Sequence, residues 1–313
     1  MTQHVTVFAP ATVANLGPGY DILGLALESP GDTVHARRTG GDAVVLTRIS
    51  GESELPPAGE TNTAVVAARL VLERLDQPFG VELELHKGLP LGSGLGSSGA
   101  SAAAAAWAVN LLAGSPLEPH QLVEPCARAE AAACGSAHAD NVAPALLGGV
   151  VLVRSPDDVS AVRTGLDLFV AVVTPRLQLP TREARQAIPT EIPLVDAIHN
   201  CAHAASLVLG LVTGDLDLLR RVMVDRIAEP RRAGLIPGFA ATKQAALAAG
   251  ALGSSISGAG PSLFALCASR ADAESASKAM AHALQRETGR LPAVLVSPIA
   301  ARGAHEVTPG ERE

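Results

Sequence analysis

Apolar and polar residues alternate along several short segments in the first part of the chain, and such alternation is typical of half-buried strands. The clearest example is segment 79–86, in which Val81, Leu83 and Leu85 alternate with polar residues. Similar apolar segments predict the strands 4–10, 22–27, 33–38, 43–49 and 149–153. The first part of the chain is therefore predicted to be rich in β-structure.

Apolar residues three and four positions apart predict helices elsewhere. Segment 62–75 has this spacing, with Thr61 as its N-terminal cap, and an alanine-rich helix is predicted at 97–112. A further helix is predicted at 119–133, followed by a loop at 135–141. In the second half, the predicted helices are 181–187, 194–211, 216–224, 238–249 and 271–286, and the predicted strands are 168–173, 254–257, 262–267 and 293–299.

The order of these elements predicts the fold class. A strand-rich first part followed by a mixture of helices and strands is typical of an α+β protein with two lobes. We place the N-terminal lobe at residues 1–155 and the C-terminal lobe at residues 156–300. The polar tail, residues 301–313, is predicted to be loose.

Composition excludes several functional classes. The chain has 313 residues, of which 48% are hydrophobic and 18% charged, so it can bury a large core. Its net charge of -7 and aromatic content of 2% argue against nucleic acid as a partner, because nucleic-acid binding uses clustered basic and stacking residues. The 4 cysteines form no CxxC pair, which argues against a zinc site or a disulfide framework.

The apolar segments also bear on cellular location. The first residues have neither the basic region nor the apolar region of a signal peptide. The apolar segment 100–113 is shorter than the about 20 residues that a membrane-spanning helix needs. We therefore expect a cytoplasmic protein that does not span a membrane.

The strongest chemical signal is the glycine-rich segment 90–100, with the sequence PLGSGLGSSGA. Glycines allow the backbone to approach an anion closely, and the following helix directs free N–H groups towards it. No Gly-Lys-Ser/Thr follows, so this is not a Walker A motif, and a dinucleotide-binding fingerprint would leave the two serines unexplained. The segment predicts a phosphate-binding loop, and the alternative is a flexible turn before a helix.

Three segments together resemble the motifs of the GHMP kinases, the superfamily that includes galactokinase, homoserine kinase and mevalonate kinase. Segment 15–21 (NLGPGYD) is similar to the first motif, 90–100 to the second and 257–262 (SGAGPS) to the third, in the same order. The resemblance implies a two-lobed fold with a ribosomal-protein-S5-like N-terminal lobe and a ferredoxin-like C-terminal lobe. It also implies ATP and Mg²⁺. Segment 257–262 would either support the phosphate loop or form only a tight turn.

Three further segments resemble the homoserine-kinase branch of this superfamily. They are 135–144 (GSAHADNVAP), 181–185 (TREAR) and 227–239 (IAEPRRAGLIPGF). Tyr20 stands where that branch usually has Phe. The resemblance implies phosphorylation of L-homoserine and, from the family alone, a homodimer. The alternatives are a related kinase acting on threonine, shikimate or mevalonate, or a non-catalytic binding protein with the same fold.

The resemblance also assigns residues to the nucleotide and its metal. It places ATP on the residues Asn62, Pro90, Leu91, Gly92, Ser93, Gly94, Leu95, Gly96, Ser97 and Ser98. Ser98 and Glu130 would bind Mg²⁺, which prefers oxygen ligands. Two alternatives stay open, namely that Asn62 only caps a helix and that Glu130 is a solvated carboxylate.

The residues of the acceptor site are assigned from the three functional groups of homoserine, which are a carboxylate, an ammonium group and a hydroxyl. Guanidinium groups bind carboxylates, which suits Arg185 and Arg232, although the neighbouring Arg231 could replace Arg232. Asp21 and Asp140 would bind the ammonium group. The remaining assigned residues, which would orient the substrate and its hydroxyl, are Asn15, His138, Asn141 and Thr181. The catalytic set is then Ser98, Glu130, Asp140 and Asn141, and either Asp140 acts as a base or alignment alone suffices.

Overall fold

The computed structural model describes residues 2–52, 61–76, 79–135 and 137–308. In chain order its strands are β1 (His4–Ala14), β2 (Leu23–Thr39), β3 (Val44–Gly51), β4 (Gly80–Lys87), β5 (Val150–Ser155), β6 (Asp158–Val162), β7 (Phe169–Thr174), β8 (Gly253–Ile256), β9 (Leu263–Cys267), β10 (Ala293–Pro298) and β11 (His305–Glu306). Ser136 and residues 309–313 of the tail, which were part of the sequence predictions, lie outside the described residues.

The α-helices of the same residues are α1 (Thr63–Leu75), α2 (Ser97–Leu112), α3 (Val123–Cys134), α4 (Ala139–Leu147), α5 (Thr181–Gln186), α6 (Leu194–Thr213), α7 (Leu216–Val222), α8 (Glu229–Arg232), α9 (Phe239–Ala248) and α10 (Arg270–Thr288). A 3₁₀ turn, Pro119–Leu122, leads into α3. Pro125 lies in the first turn of α3, where a proline is tolerated because that N–H has no partner in the helix.

A seven-stranded sheet forms the first lobe, with the strand order β11-β1-β2-β4-β3. In addition, β5 pairs with β2, and β6 pairs with β5. Helix α2 packs on β1 and β2 and also contacts α1, α3 and α4. Ala100 and residues 102–106 are fully buried in this contact. Alanine allows the helix backbone to approach all of these neighbours closely, so the alanine-rich segment is the centre of the lobe.

The second lobe is built on a four-stranded antiparallel sheet with the order β10-β7-β9-β8. Helices α9 and α10 pack on this sheet. Leu207 of α6 and Phe264 of β9 are buried in the same apolar cluster as Leu16 and Leu25 of the first lobe. The main core therefore runs from one lobe into the other.

Strand β2 was predicted as two strands, 22–27 and 33–38, and this division is wrong. The turn-forming residues Ser29, Pro30 and Gly31 lie inside a continuous strand. They face an irregularity of β1, where the register shifts between Pro10 and Thr12. The neighbouring strand thus accommodates residues that on their own favour a turn.

Helix α4 begins within segment 135–141, which was predicted to be a loop. Pro144 lies inside this helix and cannot donate a backbone hydrogen bond. Gly24 of β2 leaves room for α4 to pack closely on the strand, since a Cβ at Gly24 would lie 1.8 Å from the carbonyl oxygen of Asp140 and 3.0 Å from Pro144. The helix therefore depends on a glycine more than one hundred residues away, which local sequence patterns do not reveal.

The change from the first sheet to the second lies later than residue 155. Strand β6, which the sequence did not predict, pairs with β5 and extends the first sheet to Val162. Strand β11 lies in the tail that was predicted to be loose, yet His305 and Glu306 pair with β1. We keep the boundary between the two lobes as a proposal and place the change of sheet between Val162 and Phe169.

By length and composition alone, α6 could cross a membrane, and it is the one helix of the described residues with this property. Only 28% of the most apolar 18-residue stretch of this helix is buried. Leu207 and Leu211 pack into the core, while Leu194, Ile198 and Leu209 are exposed. The helix thus contributes to the fold with one apolar face and leaves another uncovered.

Candidate active site

The phosphate loop has the backbone geometry that its glycines predict. Gly92, Gly94 and Gly96 adopt φ values of 67°, 80° and 67°, which side-chain-bearing residues rarely adopt. Gly96 is the N-cap of α2 and provides no side chain to satisfy the first turn of that helix. The N–H groups of that turn, together with the helix dipole, suit a bound anion.

Both lobes hold this loop by hydrogen bonds. Thr12 N–H donates to the carbonyl of Leu95 at 3.0 Å, and Ser257 Oγ donates to the carbonyl of Gly94 at 2.7 Å. Ser262 N–H donates to the carbonyl of Ser93 at 3.2 Å. Segment 257–262 therefore supports the phosphate loop, and the alternative of a tight turn without this role is wrong.

Ser98 and Glu130 meet beside the loop. Ser98 Oγ donates to Glu130 Oε2 at 3.0 Å, while Glu130 Oε1 is buried and has no hydrogen-bond partner. Glu130 is 2% exposed, so the alternative of a solvated carboxylate is wrong. Burial raises the pKa of Glu130 to about 7. A buried carboxylate oxygen without a partner, next to a hydroxyl, suits a hard cation such as Mg²⁺.

Asn62 caps helix α1. Its side-chain oxygen accepts a hydrogen bond from the N–H of Ala64 at 2.9 Å, so Asn62 and not Thr61 is the N-cap. The capping role is thus established in the structure. Its contact with the adenine of ATP stays a prediction.

Asp21 and Arg185, which were both assigned to the acceptor, lie against each other. The two guanidinium N–H groups donate to the two carboxylate oxygens at 3.0 and 3.1 Å. His138 Nδ1 lies 3.5 Å from Arg185 Nη2. One ligand atom each of Asp21, His138 and Asp140 lies within 4.8 Å of the others. The sequence motifs at 15–21, 135–144 and 181–185 therefore converge on one cluster, which we call the acceptor cluster (Asp21, His138, Asp140 and Arg185).

Arg232, not Arg231, belongs to this cluster. Arg232 is buried, whereas Arg231 is exposed. The Arg232 guanidinium donates to the carbonyls of Ala184 at 3.0 Å and Gly258 at 2.8 Å, and it lies 5.2 Å from the ring centre of Tyr20. The face of the Tyr20 ring, which stands where Phe is usual, thus lies against the Arg232 guanidinium.

Asn15 links the first and third motifs. Its Nδ2 donates to the carbonyl of Gly258 at 2.9 Å, and its Oδ1 accepts a hydrogen bond from the N–H of Asp21 at 3.1 Å. Asn15 itself has a φ of 73° and Asp21 a φ of 59°. These bonds fix the backbone that presents the Asp21 carboxylate.

Electrostatics distinguish the two remaining ionisable groups. Burial, and secondarily the charge of Asp21, raises the pKa of Asp140 to about 7. Burial, and secondarily the charge of Arg185, lowers the pKa of His138 to about 4. At neutral pH, His138 is therefore uncharged, and Asp140 exists in both its protonated and ionised forms.

Asn141 joins the acceptor cluster to the phosphate loop. Its Oδ1 accepts a hydrogen bond from Thr12 Oγ1 at 2.9 Å, and a Cβ at Gly96 would lie 2.9 Å from the same oxygen. Asp140 precedes it at the start of α4. Thr181 is half-buried at the start of α5, one turn before Arg185. The loop and the acceptor cluster are therefore neighbours.

Lys87 was not among the residues assigned from the sequence. It is buried, pairs with Asp32, and donates to the carbonyl of Ser97 at 2.9 Å at the start of α2. A signal was present, because Lys87 continues the two-residue spacing of the buried Val81, Leu83 and Leu85 along β4. A charged residue on the buried face of a strand requires a partner.

Comparisons with known proteins agree with this geometry. Residues 62–149 match the GHMP kinases N terminal domain and residues 201–286 match the GHMP kinases C terminal family. The chain belongs to the GHMP kinase family, which confirms the predicted α+β fold with two lobes. It is an enzyme of the kinase class with ATP as a substrate.

Within that family, homoserine kinases are among its most similar relatives. The chain is 44% identical to the homoserine kinase of Chlorobaculum tepidum over 98% of this chain and 99% of the relative. A crystal structure of homoserine kinase from Cytophaga hutchinsonii has a TM-score of 0.93 and 43% identity, covering 98% of each chain. L. major mevalonate kinase, at 16% identity and a TM-score of 0.70 over 96% of each chain, shares the fold.

Proposed function

We propose that this enzyme transfers the terminal phosphoryl group of ATP to the side-chain hydroxyl of L-homoserine, giving O-phospho-L-homoserine for threonine biosynthesis. The observation that carries the proposal is the contact between the two parts of the site. The side-chain oxygen of Asn141 lies next to Gly96 of the phosphate loop, while the preceding Asp140 belongs to the acceptor cluster. A hydroxyl bound by the cluster would thus lie near the phosphate loop, as phosphoryl transfer requires.

The charges of the cluster match an amino acid in its zwitterionic form. Arg185 and Arg232 offer guanidinium groups for the carboxylate, and Asp21 and Asp140 offer carboxylates for the ammonium group. Asp21 and Arg185 pair with each other without a substrate, so a zwitterion can replace one ion pair by two. Mevalonate has no ammonium group and would leave the carboxylates unpaired, which disfavours it.

The nucleotide part of the site uses backbone groups and one pair of side chains. The N–H groups of segment 92–98 would bind the phosphates. Ser98 Oγ and the free oxygen of Glu130 would hold Mg²⁺, which when bound neutralises charge on the phosphate oxygens. Glu130 must be ionised for this role, and the cation would favour that form.

Asp140 is our candidate for the group that receives the proton of the acceptor hydroxyl, and the alternative is that alignment of the hydroxyl suffices without a base. The pKa of Asp140, raised to about 7 by burial, is in the range where a carboxylate can act as a general base. If Asp140 receives the proton, Asp140→Asn lowers kcat by about 100-fold or more with a smaller change in KM. If Asp140 only binds the ammonium group, the same variant mainly raises the KM for L-homoserine.

The test of the function is a panel of acceptors. We expect the purified enzyme with Mg-ATP to phosphorylate L-homoserine with a kcat/KM at least about 100-fold above those of L-threonine, shikimate and mevalonate. Product identity is confirmed by mass spectrometry. A higher kcat/KM for any of the other three acceptors would contradict the proposal.

Two expectations lie outside the chemistry of the site. A homodimer remains a proposal, tested by analytical ultracentrifugation over a range of concentrations. A cytoplasmic location also remains a proposal, tested by fractionation of cells.

A further inference from the structure

We propose that Lys87 is a positioning residue, which fixes the first turn of α2 and thereby the N–H groups that receive the ATP phosphates. The proposal rests on the proposed function only as far as this loop binds a nucleotide. It does not depend on which acceptor is phosphorylated.

Lys87 uses its ammonium group to connect three structural elements. From the end of β4, Nζ donates to the Ser97 carbonyl at 2.9 Å and to Ser101 Oγ at 2.8 Å, both in the first turns of α2. Its third partner is the carboxylate of Asp32 in β2. The three donors of a lysine are thus all used, with Lys87 4% exposed and Asp32 fully buried.

The partners of Lys87 are themselves fixed. Ser101 Oγ donates to Asp32 Oδ2 at 2.6 Å, and Asp32 Oδ1 accepts a hydrogen bond from the N–H of Gly88 at 3.2 Å. The same carboxylate therefore holds Gly88, which precedes the glycine-rich segment 90–100, and, through Lys87, Ser97 at the start of α2. The network thus fixes the distance between the two ends of the phosphate loop.

The network lies directly next to the proposed catalytic groups. Ser97, whose carbonyl accepts the lysine hydrogen bond, precedes Ser98, and the Ser98 hydroxyl contacts Glu130. The Lys87–Asp32 pair has no net charge, so attraction of the phosphates is not its main contribution. A buried ion pair also adds little stability compared with apolar residues of the same size, which favours a geometric role.

Nucleotide binding tests this role directly. We expect Lys87→Met to raise the Kd of the Mg complex of a non-hydrolysable ATP analogue by about tenfold or more in calorimetry, with the Kd of L-homoserine changed less than about twofold. Because Asp32 would be left unpaired, Lys87→Met/Asp32→Asn is measured as well, and it should show the same loss. Ser101→Ala, a small change, should raise the nucleotide Kd by about twofold to threefold.

Lys243→Met is the matched control. It removes the same side chain from a part-buried ion pair with Glu229 in the second lobe. We expect its nucleotide Kd to equal that of the wild type. The proposal is overturned if the double variant or Ser101→Ala binds the analogue with wild-type affinity, or if Lys243→Met weakens binding as much as Lys87→Met.

Discussion

Asp140 and Glu130 are buried carboxylic acids whose pKa values burial raises to about 7. In the unfolded chain both would ionise near pH 4, so between about pH 4 and pH 7 these two groups bind more protons in the folded protein than in the unfolded one. Their contribution to the free energy of unfolding therefore falls as the pH rises through this window and levels off above it. The sign is opposite to that of a carboxylate stabilised by an ion pair. His138, whose pKa burial lowers to about 4, contributes in the opposite direction between about pH 4 and pH 6.5.

Asp140→Asn should remove one part of this dependence. The amide has nearly the same shape and no charge, so at pH 8 we expect the variant to be more stable than the wild type by up to about 4 kcal/mol. Near pH 5 the difference should shrink, because Asp140 is then protonated. Urea unfolding at several pH values measures this. An equal pH dependence in both proteins would show that Asp140 ionises normally in the fold.

Glu130→Gln tests the assignment of the cation site. The amide can still accept the Ser98 hydrogen bond but has no charge for a cation, so we expect turnover to fall by about 100-fold or more. Glu124→Gln, on the same helix, is the control, because Glu124 pairs with Arg74 and Arg128 at the surface. We expect its turnover to match the wild type. Full activity of Glu130→Gln would exclude Glu130 as a ligand.

At the scale of elements, the contact between the phosphate loop and the second lobe depends on a missing side chain. A Cβ at Gly94 would lie 2.6 Å from the carbonyl oxygen of Gly260 and 2.7 Å from that of Ser257. At Gly92, which also has a positive φ, nothing lies within 4 Å. Alanine is therefore strained at both positions but meets backbone atoms at only one.

We expect Gly92→Ala to lower the free energy of unfolding by about 1–2 kcal/mol, the cost of a left-handed conformation. Gly94→Ala should lower it by clearly more, because backbone carbonyls cannot rotate away as a side chain can. Urea unfolding of both variants measures the difference. Equal losses would mean that the loop can move from the second lobe without cost.

The elements that the sequence predicted are those whose cause is local. Alternation along 79–86 and the alanine spacing of 97–112 predicted β4 and α2, and glycine spacing predicted the loop between them. Helix α4, β6 and β11 were missed because their causes are distant, namely room at Gly24 and pairing with β5 and β1. The cluster residues were found through their motifs, but the pairing of Asp21 with Arg185 is a property of the fold.

At the scale of the whole molecule, the shared core determines how the two lobes respond to damage. Leu207 is 1% exposed and lines the same small apolar space as Leu16 and Leu25 of the first lobe and Phe264 of the second. Because these side chains belong to one cluster, loss of packing at α6 should weaken both lobes. The site needs groups from both, since Arg185 and Arg232 come from α5 and α8 while Asp21 and Asp140 precede β5.

Leu207→Ala should lower the free energy of unfolding by about 2–5 kcal/mol, as for other buried leucines. We expect both lobes still to unfold in one transition. The single tryptophan, Trp107, reports on α2 in the first lobe, whereas far-UV circular dichroism reports on the whole chain. The two thermal curves should shift together in Leu207→Ala, and neither should move in Leu247→Ala, whose side chain is 39% exposed. Separate transitions, with fluorescence unchanged, would show that the first lobe is stable without the contribution of α6.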